Sequence, residues 1–536
     1  MGVFITLKIN PKEIDADRWR TVFLQTRQLL DAYPGGLVSM KTVPYKRGRR
    51  LMLTRDLIRE DYDGRYWTVS GDMDAKKIAD NFVLHERLDS YLKEAPAGEC
   101  VDILKTCIDE DTPDSVVVFC AKTQGHPYHL AILAAAMWVE HCFPQHALVK
   151  GDIDPAQCRR AAEYIDDSLG EDVALPLVVS PDRLMTRVSA FSSGFDRLNY
   201  FGKALQGGGS VGLAALESLL PREEFEAWFI HLTDQFRSGS RTALVSMMMD
   251  WLNAELDLED LLRLFCIVPE KKHFEPPIIA AALADTWIAI PKTKRETMDA
   301  FTIPEGYAET AYSQFGGFLL DMGGMQGRNM KKHLTTNEIF DVFTNLFPQQ
   351  ANAMEAAFHE AQERILERLA QLKKPVDHMM DRFHEDAPPI TDGMELMGMP
   401  LSDFTPEYHR QCDMMADTIR TWRKEMTAHP KSPDPLDVSR EELLEFISFA
   451  SGDGQIMLTE DTWARFDEET DTNILLGAAA MMNNADRTQT FCNVRWAILE
   501  SESLLEHVVN RSYEDFELEE EEDEDEQEAF PLNFGW

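Results

Sequence analysis

The sequence predicts an α+β protein, in which a sheet-containing amino-terminal domain is followed by mainly α-helical regions. Up to Asp154, runs of β-branched residues alternate with segments of helical periodicity, whereas helical periodicity dominates after it. In addition, twelve carboxylates lie between Tyr513 and Glu528. Like charges repel one another and cannot form a core, so we predict a disordered acidic C-terminal tail.

The amino-terminal part is predicted to be an α/β domain with a mixed, partly parallel sheet. Its predicted strands are Val3–Ile9, Leu37–Val43, Arg50–Thr54, Tyr66–Ser70, Ser115–Cys120 and Ala147–Lys150. Helical periodicity predicts helices over Ala16–Tyr33, Ala75–Leu92 and Pro127–Phe143. The continuous β-branched run before Cys120 predicts a strand that is buried on both faces. The strand, helix and strand between Ser115 and Lys150 predict a right-handed parallel crossover unit.

The later part of the chain is predicted to be helical. The expected helices are Pro155–Leu169, Arg222–Arg237, Thr242–Leu256, Asn337–Leu346 and one near Ala351–Leu372. Proline-rich segments at Pro388-Pro389 and Pro430–Pro435 predict linkers, and Ser439 to Glu442 forms a capping-box pattern. The predicted regions are an α/β domain (1–154), a helical middle domain (155–380), a linker with a short helix (381–438), a C-terminal helical region (439–512) and an acidic tail with an apolar tip (513–536).

The charge of the chain restricts the classes of partner. The 53 basic and 93 acidic residues give a net charge of −40. Such a surface disfavours direct binding to nucleic acid or to anionic membranes and favours a basic protein partner, although solubility alone also accounts for it. The eight cysteines are scattered without a Cys-x-x-Cys pair, as is typical of free thiols in a reducing compartment, so we expect a cytoplasmic protein. The sequence identifies neither a cofactor nor an oligomeric state.

A short repeat supplies the candidate catalytic residues. Gly71-Asp72-Met73-Asp74 and Gly151-Asp152-Ile153-Asp154 each follow a predicted strand and precede a predicted helix. Asp74 and Asp154 fit helix N-caps. If the strands are parallel, Asp72 and Asp152 lie at one sheet edge beside His126, where they can hold a divalent cation or act as acid and base. This alternative makes the protein a metal-assisted hydrolase, and capping and loop chemistry is the competing interpretation.

Other metal and ligand patterns are weaker. Cys120, His126, His129, His141, Cys142 and His146 lie close in sequence but lack the usual zinc spacing. Gly207-Gly208-Gly209-Ser210-Val211-Gly212 matches both the dinucleotide fingerprint and the nucleophile elbow. Because the residues before it are a poor strand, we predict a flexible loop there.

One basic island, Lys41 to Arg50, stands in this acidic chain. Lys46, Arg47, Arg49 and Arg50 are its candidate binding residues. A solvent-exposed hairpin explains these basic residues, and the alternative is a binding site for phosphate or for the protein's own acidic tail.

The tail carries the main functional prediction. Beyond its carboxylates the chain ends in an apolar tip that contains Phe530, Leu532, Phe534 and Trp536. We expect the acids to steer a basic partner and the tip to anchor it. The predicted function is therefore a protein-interaction role, for example neutralising or chaperoning a partner.

Overall fold

A computed structural model describes residues 3–514, with gaps at 76, 94–101, 109–114, 236–240, 268–273, 296–325, 387–401, 403, 405, 429–437, 455 and 485–488. The protein is 63% helical with 15% strand, which confirms the predicted α+β class. Within the described residues, no helix combines the length and the apolar character needed to cross a membrane.

The chain forms two compact units, each built from separated segments. Unit 1 comprises Met1–Ala32, Glu86–Gly125 and His129–Phe383, and unit 2 comprises Tyr33–His85, His126–Tyr128 and His384–Trp536. Residues 33–85, which the sequence groups with the amino-terminal domain, thus cluster with the C-terminal region.

Unit 1 contains a three-stranded sheet of β1 (Phe4–Ile9), β7 (Val116–Lys122) and β8 (Ala147–Gly151). β1 lies in the middle and is antiparallel to both neighbours, in the order β7-β1-β8. The elements β7, α4 and β8 form the predicted strand–helix–strand unit, but β1 lies between β7 and β8 in the sheet. β7 is also an edge strand with Val117 exposed, so the prediction that it is buried on both faces is wrong. The central strand β1 is more buried than β7, with Ile5, Leu7 and Ile9 fully covered and Phe4 and Lys8 partly exposed.

Helices make up most of the other described residues of unit 1. Those that begin in it are α1 (Ala16–Ala32), α2 (Asp89–Leu92), α3 (Ile103–Ile108), α4 (His129–Cys142), α5 (Pro155–Leu169), α6 (Pro181–Ser189), α7 (Gly194–Ala204), α8 (Gly209–Leu219), α9 (Arg222–Gln235), α10 (Arg241–Asn253), α11 (Leu258–Cys266), α12 (Pro276–Asp285), α13 (Lys292–Arg295), α14 (Thr336–Leu346) and α15 (Ala351–Asp386). Every position from Ala131 to Val139 of α4 is buried, because this helix packs against α1, α5 and β8.

Unit 2 contains a six-stranded sheet of β2 (Leu37–Tyr45), β3 (Gly48–Thr54), β4 (Ile58–Asp61), β5 (Gly64–Asp72), β6 (Lys77–His85) and β9 (Met457–Thr459). The order is β4-β5-β2-β3-β9, and β6 pairs with β5. The parallel pair is β3 with β9, which brings Leu51 opposite Met457, whereas the other pairs are antiparallel. The predicted helix over Ala75–Leu92 is wrong in this region, because Lys77–His85 instead bonds to β5 as a strand.

The helices of unit 2 are α16 (Pro406–Ala428), α17 (Arg440–Gly454), α18 (Glu460–Glu468), α19 (Thr472–Asn483), α20 (Gln489–Glu500) and α21 (Glu502–Arg511). They enclose one core to which the sheet contributes Met52 and Leu458. The hairpin of β2 and β3 is therefore built onto helices that lie far away in sequence.

Candidate functional site

Asp72, the first candidate catalytic residue, is a buried structural carboxylate at the end of β5, with only 2% of its surface exposed. One of its oxygens accepts a hydrogen bond from the Tyr33 hydroxyl at 2.8 Å. The other accepts backbone N–H groups from Gly36, Asp74 and Ala75 at 3.1, 2.9 and 3.1 Å. These four donors account for its position, since a buried carboxylate needs such partners.

Asp152 lies at the end of β8, in the other sheet. Its carboxylate accepts the backbone N–H of Phe4 at 2.9 Å, and its own N–H donates to the Phe4 carbonyl at 2.9 Å. It follows Gly151, whose φ is +135° and where a Cβ would lie 2.3 Å from the Phe4 oxygen. Only glycine fits this close approach.

Asp154 is the N-cap of α5, as predicted. Its side chain accepts the N–H groups of Ala156 and Gln157 at 2.7 and 2.8 Å. In return, the backbone N–H of Asp154 donates to the side-chain oxygen of Gln157 at 3.1 Å. Asp74 does not cap a helix, since β6 follows it, and pairs with Arg55 at 3.0 Å.

The histidines after β7 differ in their surroundings. His126 is half-buried in the loop, with its ring 6.4 Å from that of Tyr128. His129, at the start of α4, is 7% exposed, and its Nδ1 lies 2.6 Å from the Thr123 hydroxyl. Burial, followed by the positive charge of Arg160, lowers the pKa of His129 to about 4, so its imidazole is neutral at neutral pH.

The predicted hydrolase site does not assemble on one sheet edge. Asp72 ends a strand of the six-stranded sheet, whereas Asp152 follows a strand of the three-stranded sheet. The expectation of a shared edge is wrong, because residues 33–85 form a separate sheet. Among the described residues, no group of three or more histidine, cysteine, aspartate or glutamate side chains could hold a metal ion. Catalytic roles for Asp72, Asp152 and His126 stay predictions.

The glycine-rich segment follows helix α7 instead of a strand and contains the start of α8, so the predicted flexible loop is wrong from Gly209 to Gly212. Its helix N-terminus faces the carboxylate of Asp250 from α10, which accepts the N–H of Ser210. A Cβ at Gly209 would lie 2.2 Å from that carboxylate. The dinucleotide and nucleophile-elbow interpretations are therefore wrong here, since both require a preceding strand.

Within the basic island, Arg50 is buried inside unit 2. Its guanidinium makes two 2.7 Å hydrogen bonds to Asp467, and its Nε donates to Ser448 at 3.0 Å. It lies between the rings of Tyr45 and Trp463, 3.9 and 4.6 Å from their centroids. Paired and enclosed in this way, Arg50 joins the hairpin to the C-terminal helices and is not available to a phosphate or to the tail.

The other island residues are closer to solvent. Arg49 donates to the Gly452 carbonyl at 3.1 Å, and Arg47, with 91% of its side chain exposed, pairs with Glu445 at 3.3 Å. Lys46 and Lys41 are exposed, and the Lys46 ammonium lies 5.7 Å from the Tyr45 ring centroid. Binding to a ligand stays a prediction for Lys46, Arg47 and Arg49.

The tail tip falls outside the described residues, but the beginning of the tail does not. We define Ser512 to Glu514 as the tail root. Arg511 binds both Asp413 and Glu514, at 2.8 and 2.6 Å. Arg420 donates to the Glu514 carbonyl at 2.5 Å.

The second contact of the tail root is aromatic. The Arg423 guanidinium lies 3.8 Å from the Tyr513 ring centroid and also donates to the Ser512 hydroxyl. The Tyr513 hydroxyl donates to Asn473 at 2.7 Å. Three arginines, Arg420, Arg423 and Arg511, thus hold the tail root on unit 2. The sequence does not indicate the contacts of Arg420 and Arg423, because these two residues precede the tail root by about ninety positions.

A polar groove of about 350 Å³ adjoins the tail root. It is lined by His409, Asp413, His507, Asn510, Arg511 and Glu514. Because Arg511 already joins both carboxylates, the groove combines partly neutralised acids with two histidines at the point where the tail leaves the helices.

No protein-family model, curated protein or solved structure matches this chain.

Proposed function

We propose that the protein binds a basic protein partner through its acidic tail, with the apolar tip as the anchor. The observation that carries the proposal is the arrangement of twelve carboxylates followed by Phe530, Leu532, Phe534 and Trp536. Clustered acids raise the rate of encounter with a basic surface, and buried aromatic side chains slow dissociation.

The tail root supports this proposal. Arg420, Arg423 and Arg511 hold Ser512 to Glu514 on the helices of unit 2. The charged segment therefore starts at a defined place on a helical surface, so that a partner bound to the tail stays near this surface. The net charge of −40 makes the protein as a whole favourable for a basic partner.

The basic island argues for docking in trans. Arg50 is buried and paired with Asp467, so this cation of the island is not open to the protein's own tail. A partner protein that supplies its own basic surface does not depend on access to Arg50.

The experiment compares the full chain with a chain that ends at Glu514, which keeps every described contact of the tail root. The partner co-purified with the full chain is then tested for binding at several salt concentrations. We expect truncation to abolish tight binding. Unchanged affinity and salt dependence after truncation would refute the proposal.

Two further variants separate the contributions of charge and tip. Replacing the acids of residues 519–526 by their amides is expected to slow association and to flatten the salt dependence. Replacing Phe530, Leu532, Phe534 and Trp536 by serine is expected to speed dissociation and to leave the salt dependence in place.

A further inference from the structure

A cleft in unit 1 combines two arginines with a buried carboxylate. Its volume is about 360 Å³, and it is lined by Glu140, Pro144, Leu177, Asp182, Arg183, Thr186 and Arg187. Arg183, Thr186 and Arg187 are spaced three and four residues apart on α6, so they lie on one face of that helix. A volume of this order accommodates a small ligand.

Arg187 has hydrogen-bonding capacity left over. Its Nε donates to Asp102 at 2.6 Å, and the two side chains are only 18% and 15% exposed. Its Nη2 is buried and has no hydrogen-bond partner among the described residues. A buried guanidinium donor without an acceptor is costly, and an oxyanion that reaches it would supply the missing acceptor.

Glu140 is the buried carboxylate that lines the cleft, and two backbone N–H groups hold its side chain in place. Its two oxygens accept the N–H groups of Val149 and Leu177, each at 2.7 Å. Each carboxylate oxygen has two lone-pair directions, so each can accept one more hydrogen bond. Above about pH 7, where Glu140 is ionised, the cleft therefore offers both cationic donors and a carboxylate acceptor.

We propose that this cleft binds inorganic hydrogen phosphate, the form of phosphate that still carries one proton. Arg183 and Arg187 would bind the unprotonated oxygens, and the P–O–H group would donate to the carboxylate of Glu140. A fully deprotonated oxyanion such as sulfate has no proton to donate and would meet the negative charges of Glu140 and Asp182 instead. A polar site of this kind discriminates strongly against a ligand that lacks the required hydrogen.

The test measures binding of inorganic phosphate, sulfate and glycerol phosphate to the full chain by calorimetry at about pH 8 and constant ionic strength, so that Glu140 is ionised while inorganic phosphate still carries one proton. We expect phosphate to bind at least about tenfold more tightly than sulfate, since one unpaired buried group accounts for such a factor. Equal binding of phosphate and sulfate, or no binding of phosphate, would overturn the proposal. A phosphate monoester has lost its second proton at this pH, so glycerol phosphate is a second anion without a proton to donate, and its binding as tightly as inorganic phosphate would also overturn the proposal.

Variants locate the site. Arg187→Gln and Arg183→Gln are each expected to weaken phosphate binding about tenfold or more. Arg183 is exposed, so its variant is informative even if Arg187→Gln is unstable. Arg27→Gln is the matched control, because Arg27 is a surface arginine of α1 paired with Asp31 and distant in sequence from the cleft residues. Phosphate affinity that is equal in Arg183→Gln, Arg27→Gln and the unmodified chain would exclude this cleft.

Discussion

The two Gly-Asp-apolar-Asp segments share one residue pattern but form different structures. In the first, β5 turns into a second strand, and Asp72 is buried among four hydrogen-bond donors. In the second, β8 turns into helix α5, Asp152 is exposed and binds one N–H, and Asp154 caps the helix.

The difference shows that the pattern specifies a turn but not the element after it. In both segments, an aspartate after the glycine binds backbone N–H groups near the turn. Burial is then set by what surrounds the turn, which for Asp72 is Tyr33 and the backbone at Gly36. We therefore expect equivalent substitutions in the two segments to have very different costs.

The largest effect is expected for Asp72→Ala, at about 4 kcal/mol of unfolding free energy. Removing this carboxylate leaves several buried donors without an acceptor, each of which costs about 1–3 kcal/mol. Denaturant unfolding would measure the loss. Asp74→Ala is the control, since it removes only an exposed pair with Arg55 and should cost under about 1 kcal/mol. Similar costs for both variants would contradict the structural role of Asp72.

The second largest effect on stability is expected for Glu140, whose carboxylate accepts the N–H of Val149 in β8, the strand of the second segment. Burial raises the pKa of Glu140 to about 7 from 4.5, against the opposing influence of the Val149 and Leu177 hydrogen bonds. The folded state then holds a proton that the unfolded state has lost, so this group's contribution to stability decreases as pH rises from 4.5 to about 7. We expect the stability of the unmodified chain relative to Glu140→Gln to fall by about 3 kcal/mol over this range.

Denaturant unfolding of both proteins at several pH values would measure this difference. Because other carboxylates titrate in both proteins, only the difference between the two curves reports on Glu140. Parallel stability curves would contradict the raised pKa.

A smaller effect is expected for Asp154→Ala, at about 1 kcal/mol, because it removes the N-cap of α5. Asp154→Asn should retain nearly all the stability, since asparagine also caps helices well. Thermal unfolding of the two variants would test this. An asparagine variant as unstable as the alanine variant would show that charge, and not capping, is the main contribution.

The smallest effect is expected for Asp152→Ala, at about 0.5 kcal/mol, since it removes one exposed hydrogen bond to Phe4. Thermal unfolding is again the measurement. If this variant were less stable than Asp154→Ala, Asp152 would have a structural role beyond its bond to Phe4.

Much of the local structure could be predicted from the sequence. The periodicity of residues 16–33 predicts α1, and Asp154 followed by Pro155 predicts the start of α5. Both are signals carried by neighbouring residues. The failure at residues 75–92 has the opposite cause: Lys77–His85 is a strand because it pairs with β5, and its apolar spacing also fits a helix.

The candidate sites were less predictable than the elements. The basic island was visible, but Arg50 is paired with Asp467, which lies 417 residues further along the chain. Likewise, Arg420 and Arg423 lie far from the tail root that they hold, so no short pattern connects them to it. A charged residue in a sequence is as compatible with exposure to solvent as with a buried ion pair, and only the fold distinguishes the two.

The sequence by itself determined the α+β class, the acidity, the helices α5, α9, α10, α14 and α15 of the middle region and the cap of α5, because each depends on composition or on residues within a few positions. Tertiary structure decided that β3 pairs with β9, that Asp72 and Asp152 belong to different sheets, and that Arg50 is buried. These outcomes depend on contacts between segments hundreds of residues apart, whose free energy arises only when a common core excludes water from them.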